Sequence, residues 1–272
     1  MLTKIEAYSA SGSTLALFLE SGSGYFITDV EGLGPVKANI VSSTFATRDG
    51  STFQNSRRGS RNIRISIAIE QEAGAAVVAQ RRAALYAFFM PKRNVDLRIY
   101  LDAVHFATTK AHVESCEPDL FAKDPSLIIS LICFDPDLIS PTLVTVSGSS
   151  VSDSTEMAIP YSGTVETGIT FKLYVDRTES NFTIFNRTPD GDIHTLEFIT
   201  PLQASDVVTI VTIPGSKKAI LTRASSDQSV LQGVSPSANW IQLYPGTNYF
   251  RVLINGVTIP YDLEYMPRYG GL

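Results

Sequence analysis

Three histidines, two close pairs of aspartates and two cysteines are the residues of this 272-residue chain whose types could do chemistry. His105 and His112 would project to opposite faces of a single strand, and His194 lies far downstream, so the spacing supplies no metal-ligand pair. Asp190 and Asp192 could hydrolyse a glycosidic bond if two carboxylates flanked it. They lie in Pro189-Asp190-Gly191-Asp192, however, where aspartate is favoured for the backbone hydrogen bonds of a turn. Asp135 and Asp137 flank Pro136 and read as turn chemistry in the same way. Cys116 and Cys133 sit in strand-like stretches and read as two buried thiols of a reducing compartment, not a disulfide framework. The sequence has no phosphate-cradling Gly-x-x-x-x-Gly-Lys-Ser/Thr loop, no His-Glu-x-x-His, no Cys-x-x-Cys and no Gly-x-Ser-x-Gly elbow. These observations predict a non-enzymatic chain with no catalytic, metal or cofactor site.

The elements that would hold any site are mostly strands. Ile63, Ile65, Ile67 and Ile69 alternate with Asn62, Arg64, Ser66 and Ala68, the pattern of a strand with one buried and one wetter face. Leu15, Leu17 and Leu19 alternate likewise, as do Val95, Leu97, Ile99 and Leu101. Downstream, strand-like runs fall at 169–175, 181–185, 207–213, 218–221, 240–243, 250–254 and 258–265. Turn signals such as Pro214-Gly215 and Asn255-Gly256 separate them. One helix is predicted over 70–90, with Val78, Leu85 and Phe89 at helical spacing and Pro91 as the stop.

The Pro- and Ser-rich stretch 134–153 predicts an exposed connection between domains 1–139 and 140–272. The fold class is thus mainly β, with one helix in the first half and an all-β second half of sandwich or jelly-roll type. Formal net charge is −5, from 14 basic against 15 acidic residues in 1–139 and 8 against 12 in 140–272. Neither half has the basic excess of a sequence-independent nucleic-acid binder. No run approaches the length of a membrane span, and the first eight residues lack an apolar signal core.

The most charged local feature is the segment 48–61, with Arg48, Arg57, Arg58 and Arg61 among Gly, Ser and Asn, plus Phe53. Arg and aromatic residues are enriched at interfaces, so it reads as a subunit-contact arm in loop form. Tyr269 and Leu272, in an aromatic and apolar closing segment, are further candidate assembly contacts. Trp240, Tyr244 and Tyr249 could stack on sugar rings, although Trp240 alternates with apolar neighbours as a core residue would.

Four patterns in order along the chain resemble the phage distal tail (Dit) family. They are Asp49-Gly50-Ser51-x-Phe53-Gln54-x-Ser56-Arg57-x-Gly59-x-Arg61-Asn62-Ile63, the run 129–137 ending in Phe134-Asp135-Pro136-Asp137, Trp240-x-x-Leu243-x-Pro245-Gly246-x-Asn248-x-Phe250, and Tyr265-x-Pro267-Arg268-Tyr269-Gly270-Gly271-Leu272. The resemblance implies a β-sandwich N-terminal ring or belt domain with a helix and a hairpin, followed by a galectin-like or carbohydrate-module-like β-sandwich. It further implies a homo-hexameric ring at the tip of a long, non-contractile bacteriophage tail. Its partners would be the tail tube and tape measure proteins above and the tail-associated hub protein below, with a receptor-binding protein as a further neighbour. Genome DNA would pass through the lumen without sequence-specific binding. The chain would be a baseplate structural protein of the virion, assembled in the host bacterial cytoplasm and serving host attachment without membrane insertion. A carbohydrate-binding module is the alternative reading.

Overall fold

A computed structural model of the chain describes residues 1–20, 24–70, 75–119, 124–256 and 258–272. Its elements fall into two units, Met1–Pro141 with Tyr269–Leu272, and Thr142–Arg268. Among the described residues the protein is mainly β with one α-helix.

In chain order the first unit holds β1 (Leu2–Ser9), β2 (Thr14–Phe18), β3 (Tyr25–Glu31), β4 (Ala38–Phe45), β5 (Arg48–Arg58), β6 (Arg61–Ile69), α1 (Ala75–Phe89), β7 (Asn94–Leu101), β8 (Val104–Asp119), β9 (Ser126–Cys133) and β10 (Leu138–Ile139). Its large sheet runs β8-β7-β1-β2-β3-β6-β9, and β9 pairs with β8 as well as β6. The circuit of strands is therefore continuous, with β2 and β3 joined in parallel at Phe18↔Phe26 and longer ladders elsewhere, which reduces the aggregation liability of open edges. The isoleucines of β6 are all buried, together with Ile5, Leu17, Leu97, Ile99, Leu127, Ile129 and Leu131, and they line one core. The helix is confirmed over Ala75–Phe89; residues 71–74 of the expected span lie outside the described residues. Leu85 and Phe89, one turn apart, are fully buried on that core, as an amphipathic helix covering a sheet requires.

The second unit holds β11 (Val144–Ser149), β12 (Met157–Tyr161), β13 (Thr167–Gly168), β14 (Thr170–Tyr174), β15 (Glu179–Arg187), β16 (Ile193–Leu202), β17 (Val207–Val211), β18 (Lys218–Arg223), β19 (Ser226–Ser229), β20 (Gln242–Leu243), β21 (Gly246–Leu253) and β22 (Pro260–Tyr265). A six-stranded sheet, β11-β22-β14-β17-β18-β19, and a four-stranded sheet, β12-β21-β15-β16, share a single core. Phe171 of β14 meets Phe182 of β15 and Phe250 of β21 at 6.0 and 6.2 Å between ring centroids, inside the range for favourable aromatic pairs. This is a β-sandwich.

Two sequence expectations need correction. The stretch 134–153 is not a free connection. It contains β10 and β11, and β11 pairs residue by residue with β22 from Val144↔Tyr265 to Ser149↔Pro260. Ser150 is buried, and its hydroxyl accepts the Ile259 amide at 2.8 Å; a small polar residue suits a crowded ladder end as well as a loop. The chain also divides after Pro141, and the short strand β23 (Arg268–Tyr269) forms the edge of the first sheet beside β10.

Candidate assembly surface

Segment 48–61, expected as a loop, is a strand for most of its length. β5 pairs antiparallel with β4 from Ala38↔Arg58 to Phe45↔Arg48, with register shifts after Val41 and Thr44, and among the described residues neither strand pairs with any other. The result is a two-stranded ribbon that stands clear of a core. Ile40 is 68% exposed and Phe53 63%, and Val41 and Phe45 are also more than half exposed. Alternation puts Ile40 and Phe53 on one face and Val41 and Phe45 on the other. Arg48 and Arg57 are exposed on the same ribbon and make no ion pair among the described residues.

The other two arginines behave differently. Arg58 forms a two-pronged ion pair with Asp137, whose side chain is 6% exposed. Arg61 is fully buried. Its Nε donates to the Pro136 carbonyl, one Nη to the carbonyls of Gly32 and Gly34, and the other to Gly270, all at 2.7 Å. Burial pushes its pKa below the ordinary value, and neighbouring Cys133 and Asp137 partly offset the shift. Four of its five N–H donors are fixed inside the unit and the side chain is sealed from solvent, so Arg61 is a core residue and not the contact expected. Sequence could not show this, because the four carbonyls come from three distant segments.

Tyr269 is half-buried and its ring lies 4.6 Å from that of Phe106. Leu272 is 45% exposed, while its amide donates to the Leu33 carbonyl at 3.0 Å. Both residues thus belong to the fold of the first unit, and Leu272 retains an open apolar surface.

The sugar-stacking candidates are each engaged elsewhere. Trp240 packs against the sandwich core, with the Lys217 ammonium 5.2 Å from its ring centre. Tyr244 meets His194 edge-on at 5.6 Å. The Arg187 guanidinium lies 4.0 Å over Tyr249, held there by Glu156. Asp192 and Asp190 occupy a turn closed by Thr188, with Gly191 at φ +95°. Asp135 accepts the Asp137 amide at 3.1 Å, a turn contact. Among the described residues no cluster of His, Cys, Asp and Glu could hold a metal ion, and no helix is long and apolar enough to cross a membrane. Asn186, in a glycosylation-like triplet, is buried and donates to the Gln242 carbonyl.

A barrel-like β unit carrying one helix and an exposed ribbon, followed by a β-sandwich, defines a mainly β protein of two units. Residues 162–269 match the family described as the siphovirus-type tail component, C-terminal domain. The crystal structure of SPP1 Dit protein, titled a paradigm of hub adsorption apparatus in Gram-positive infecting phages, is similar over 97% of this chain and 98% of that one, with a TM-score of 0.70 at 12% identity. A chain of the phage P2 baseplate in its activated conformation with Ca aligns over 100% of both chains, with a TM-score of 0.48 at 9% identity. A comparison with curated proteins finds no match. Residues 162–269 are thus similar to the C-terminal domain of siphovirus-type tail components, and the chain shares the fold of SPP1 Dit along its length.

Proposed function

We propose that this chain is a hub subunit of a siphophage tail tip, and that its first unit forms a homo-hexameric ring through the β4–β5 ribbon. The observation that carries the reading is the ribbon itself. Two paired strands with four large apolar residues more than half exposed are a liability for a solitary molecule. Covering each such side chain stabilises by about 1.5–3 kcal/mol. Together the four offset much of the ~4–15 kcal/mol of lost freedom that association costs. A ring needs a heterologous contact, in which one surface meets a different surface on the next copy, and a projecting ribbon is suited to reach one.

In this reading the ring joins the tail tube and tape measure proteins to the tail-associated hub protein. It surrounds the DNA path without sequence-specific contact, which the net charge of −5 favours. The galectin-like sandwich faces baseplate neighbours, a receptor-binding protein among them. The protein assembles in the host cytoplasm and resides in the virion, and its role is structural. The test is the mass of the full chain in solution, alone and with its tube and hub partners. Six copies are expected with at least one of these partners. The double variant Ile40→Ser, Phe53→Ser should fold normally and remain monomeric. A monomer under every condition, or a ring unaffected by that variant, would sink the reading.

A further inference from the structure

We infer that the closing segment Tyr269–Leu272 is a clasp that sets the position of the β4–β5 ribbon, with Arg61 as its knot. The ribbon leaves the first unit through two legs. The incoming leg runs from Gly32 to Lys37, and the outgoing leg from Arg58 to Arg61. Arg61 at the foot of the outgoing leg binds the Gly32 and Gly34 carbonyls of the incoming one. The same guanidinium binds Gly270 through its remaining nitrogen. Leu272 then donates to the carbonyl of Leu33, between the two glycines already held. The clasp thus pins the same three-residue stretch from which the ribbon departs.

Packing at the foot leaves little slack. A methyl group added at Gly32, which has φ +85°, would stand 1.8 Å from the Asn62 carbonyl oxygen. One added at Gly271 would stand 2.6 Å from the Pro35 nitrogen and 2.7 Å from the Gly34 carbonyl carbon. Both obstacles are backbone, so neither can step aside by rotating a side chain. The clasp therefore lies against the incoming leg at the closest approach that glycine allows. Tyr269, packed on Phe106, anchors the other end of the segment. A short segment held at both ends, meeting a ribbon at its root, fixes the ribbon's direction without touching its tip. Any event that lifts Tyr269–Leu272 releases the ribbon, so the clasp couples this segment to the surface proposed above for assembly.

The coupling is measured in the monomer and does not depend on whether the ribbon makes ring contacts. Hydrogen exchange followed by mass spectrometry on the full chain reports protection of the root pairs Ala38↔Arg58 and Asn39↔Arg57. Gly271→Ala should speed exchange at these pairs by about tenfold or more, the factor set by losing a hydrogen bond to a charged group, while β6 and β9 stay protected. Deletion of Tyr269–Leu272 should do at least as much. Val104→Ala is the control, since Val104 is 67% exposed at the start of β8 and takes no part in the clasp, and it should behave as the parent. Should the deletion fail to fold, Gly271→Ala, which keeps Tyr269 and Arg61, decides alone. Root exchange unchanged in folded Gly271→Ala protein overturns the clasp. Root exchange accelerated while the ring assembles as before upholds the clasp and removes the ribbon from the ring contact.

Discussion

Arg58 closes on Asp137 across 79 positions of sequence, whereas its neighbour Arg57 makes no ion pair among the described residues. Adjacent residues of one strand point to opposite sides, and here one side faces the body of the first unit. Two arginines that look alike in sequence therefore predict opposite outcomes. Arg58→Ala removes a two-pronged partner from a carboxylate with a 6% exposed side chain, which costs about 1–3 kcal/mol. Arg57→Ala should change stability by less than about 0.5 kcal/mol, as for an exposed charge, and act on association instead. Thermal melts of the two single variants at equal concentration check this. Equal melting temperatures would show that the Arg58 pair contributes nothing.

The elements legible in sequence were those with one face in a core. Four isoleucines at every second position declare β6, and Leu85 with Phe89 before Pro91 declares the end of α1. The ribbon was legible as an arm but not as strands. Both of its faces meet solvent, so β4 and β5 have no buried face to impose alternation, and Gly50, Asn55 and Ser56 suggest a loop. The Asp190–Asp192 turn was legible because turn chemistry is local. Arg61 was misread because burial of a cation depends on carbonyls contributed by Gly32, Gly34, Pro136 and Gly270, the last 209 positions away. No local window contains that information.

Both thiols should be inert in the folded protein. Cys133 is buried and Cys116 half-buried. Burial pushes the Cys116 thiol up to about 11, with Glu117 adding to the shift, and burial raises Cys133 as well. Because the thiolate is the reactive form, a disulfide reagent such as Ellman's at pH 7.5 should find no fast-reacting group in native protein and two in guanidinium. One rapid equivalent in the native state would contradict the burial.

Trp240 separates the sugar-binding reading from the structural one. Its ring packs against the sandwich core as a partly buried neighbour. Trp240→Ala should therefore destabilise the second unit by about 2–3 kcal/mol, somewhat below the range for fully buried aromatic residues, and chemical denaturation should show it. A glycan array should give the same result for parent and variant. A variant of unchanged stability that loses binding to a glycan would restore the sugar module.

The second unit also carries a predictable acid limit at Asp206. This side chain is 1% exposed, and its two oxygens accept from Arg223 Nε at 2.8 Å and Nη2 at 2.6 Å. The Gln203 amide adds a third bond at 2.7 Å. The Arg223 bonds, with that amide, hold the Asp206 carboxyl below its ordinary value against the opposing effect of burial. A carboxyl whose folded pKa is depressed binds its proton more readily in the unfolded chain, so folding is favoured wherever the group is ionised. Its contribution is complete above the unfolded value of about 3.9 and disappears as pH falls through the lower folded value. Asp262, held low by the Ser147 and Tyr174 hydroxyls, acts in the same direction. Urea denaturation from pH 7 to pH 2.5 should therefore show stability of this unit falling below about pH 4. Asp206→Asn should lower stability at pH 7 by about 1–3 kcal/mol, because the amide cannot accept on both sides. It should also flatten the acid limb, since the titrating group is gone. Parent and variant curves that run parallel down to pH 2.5 would show that Asp206 has the same pKa folded and unfolded.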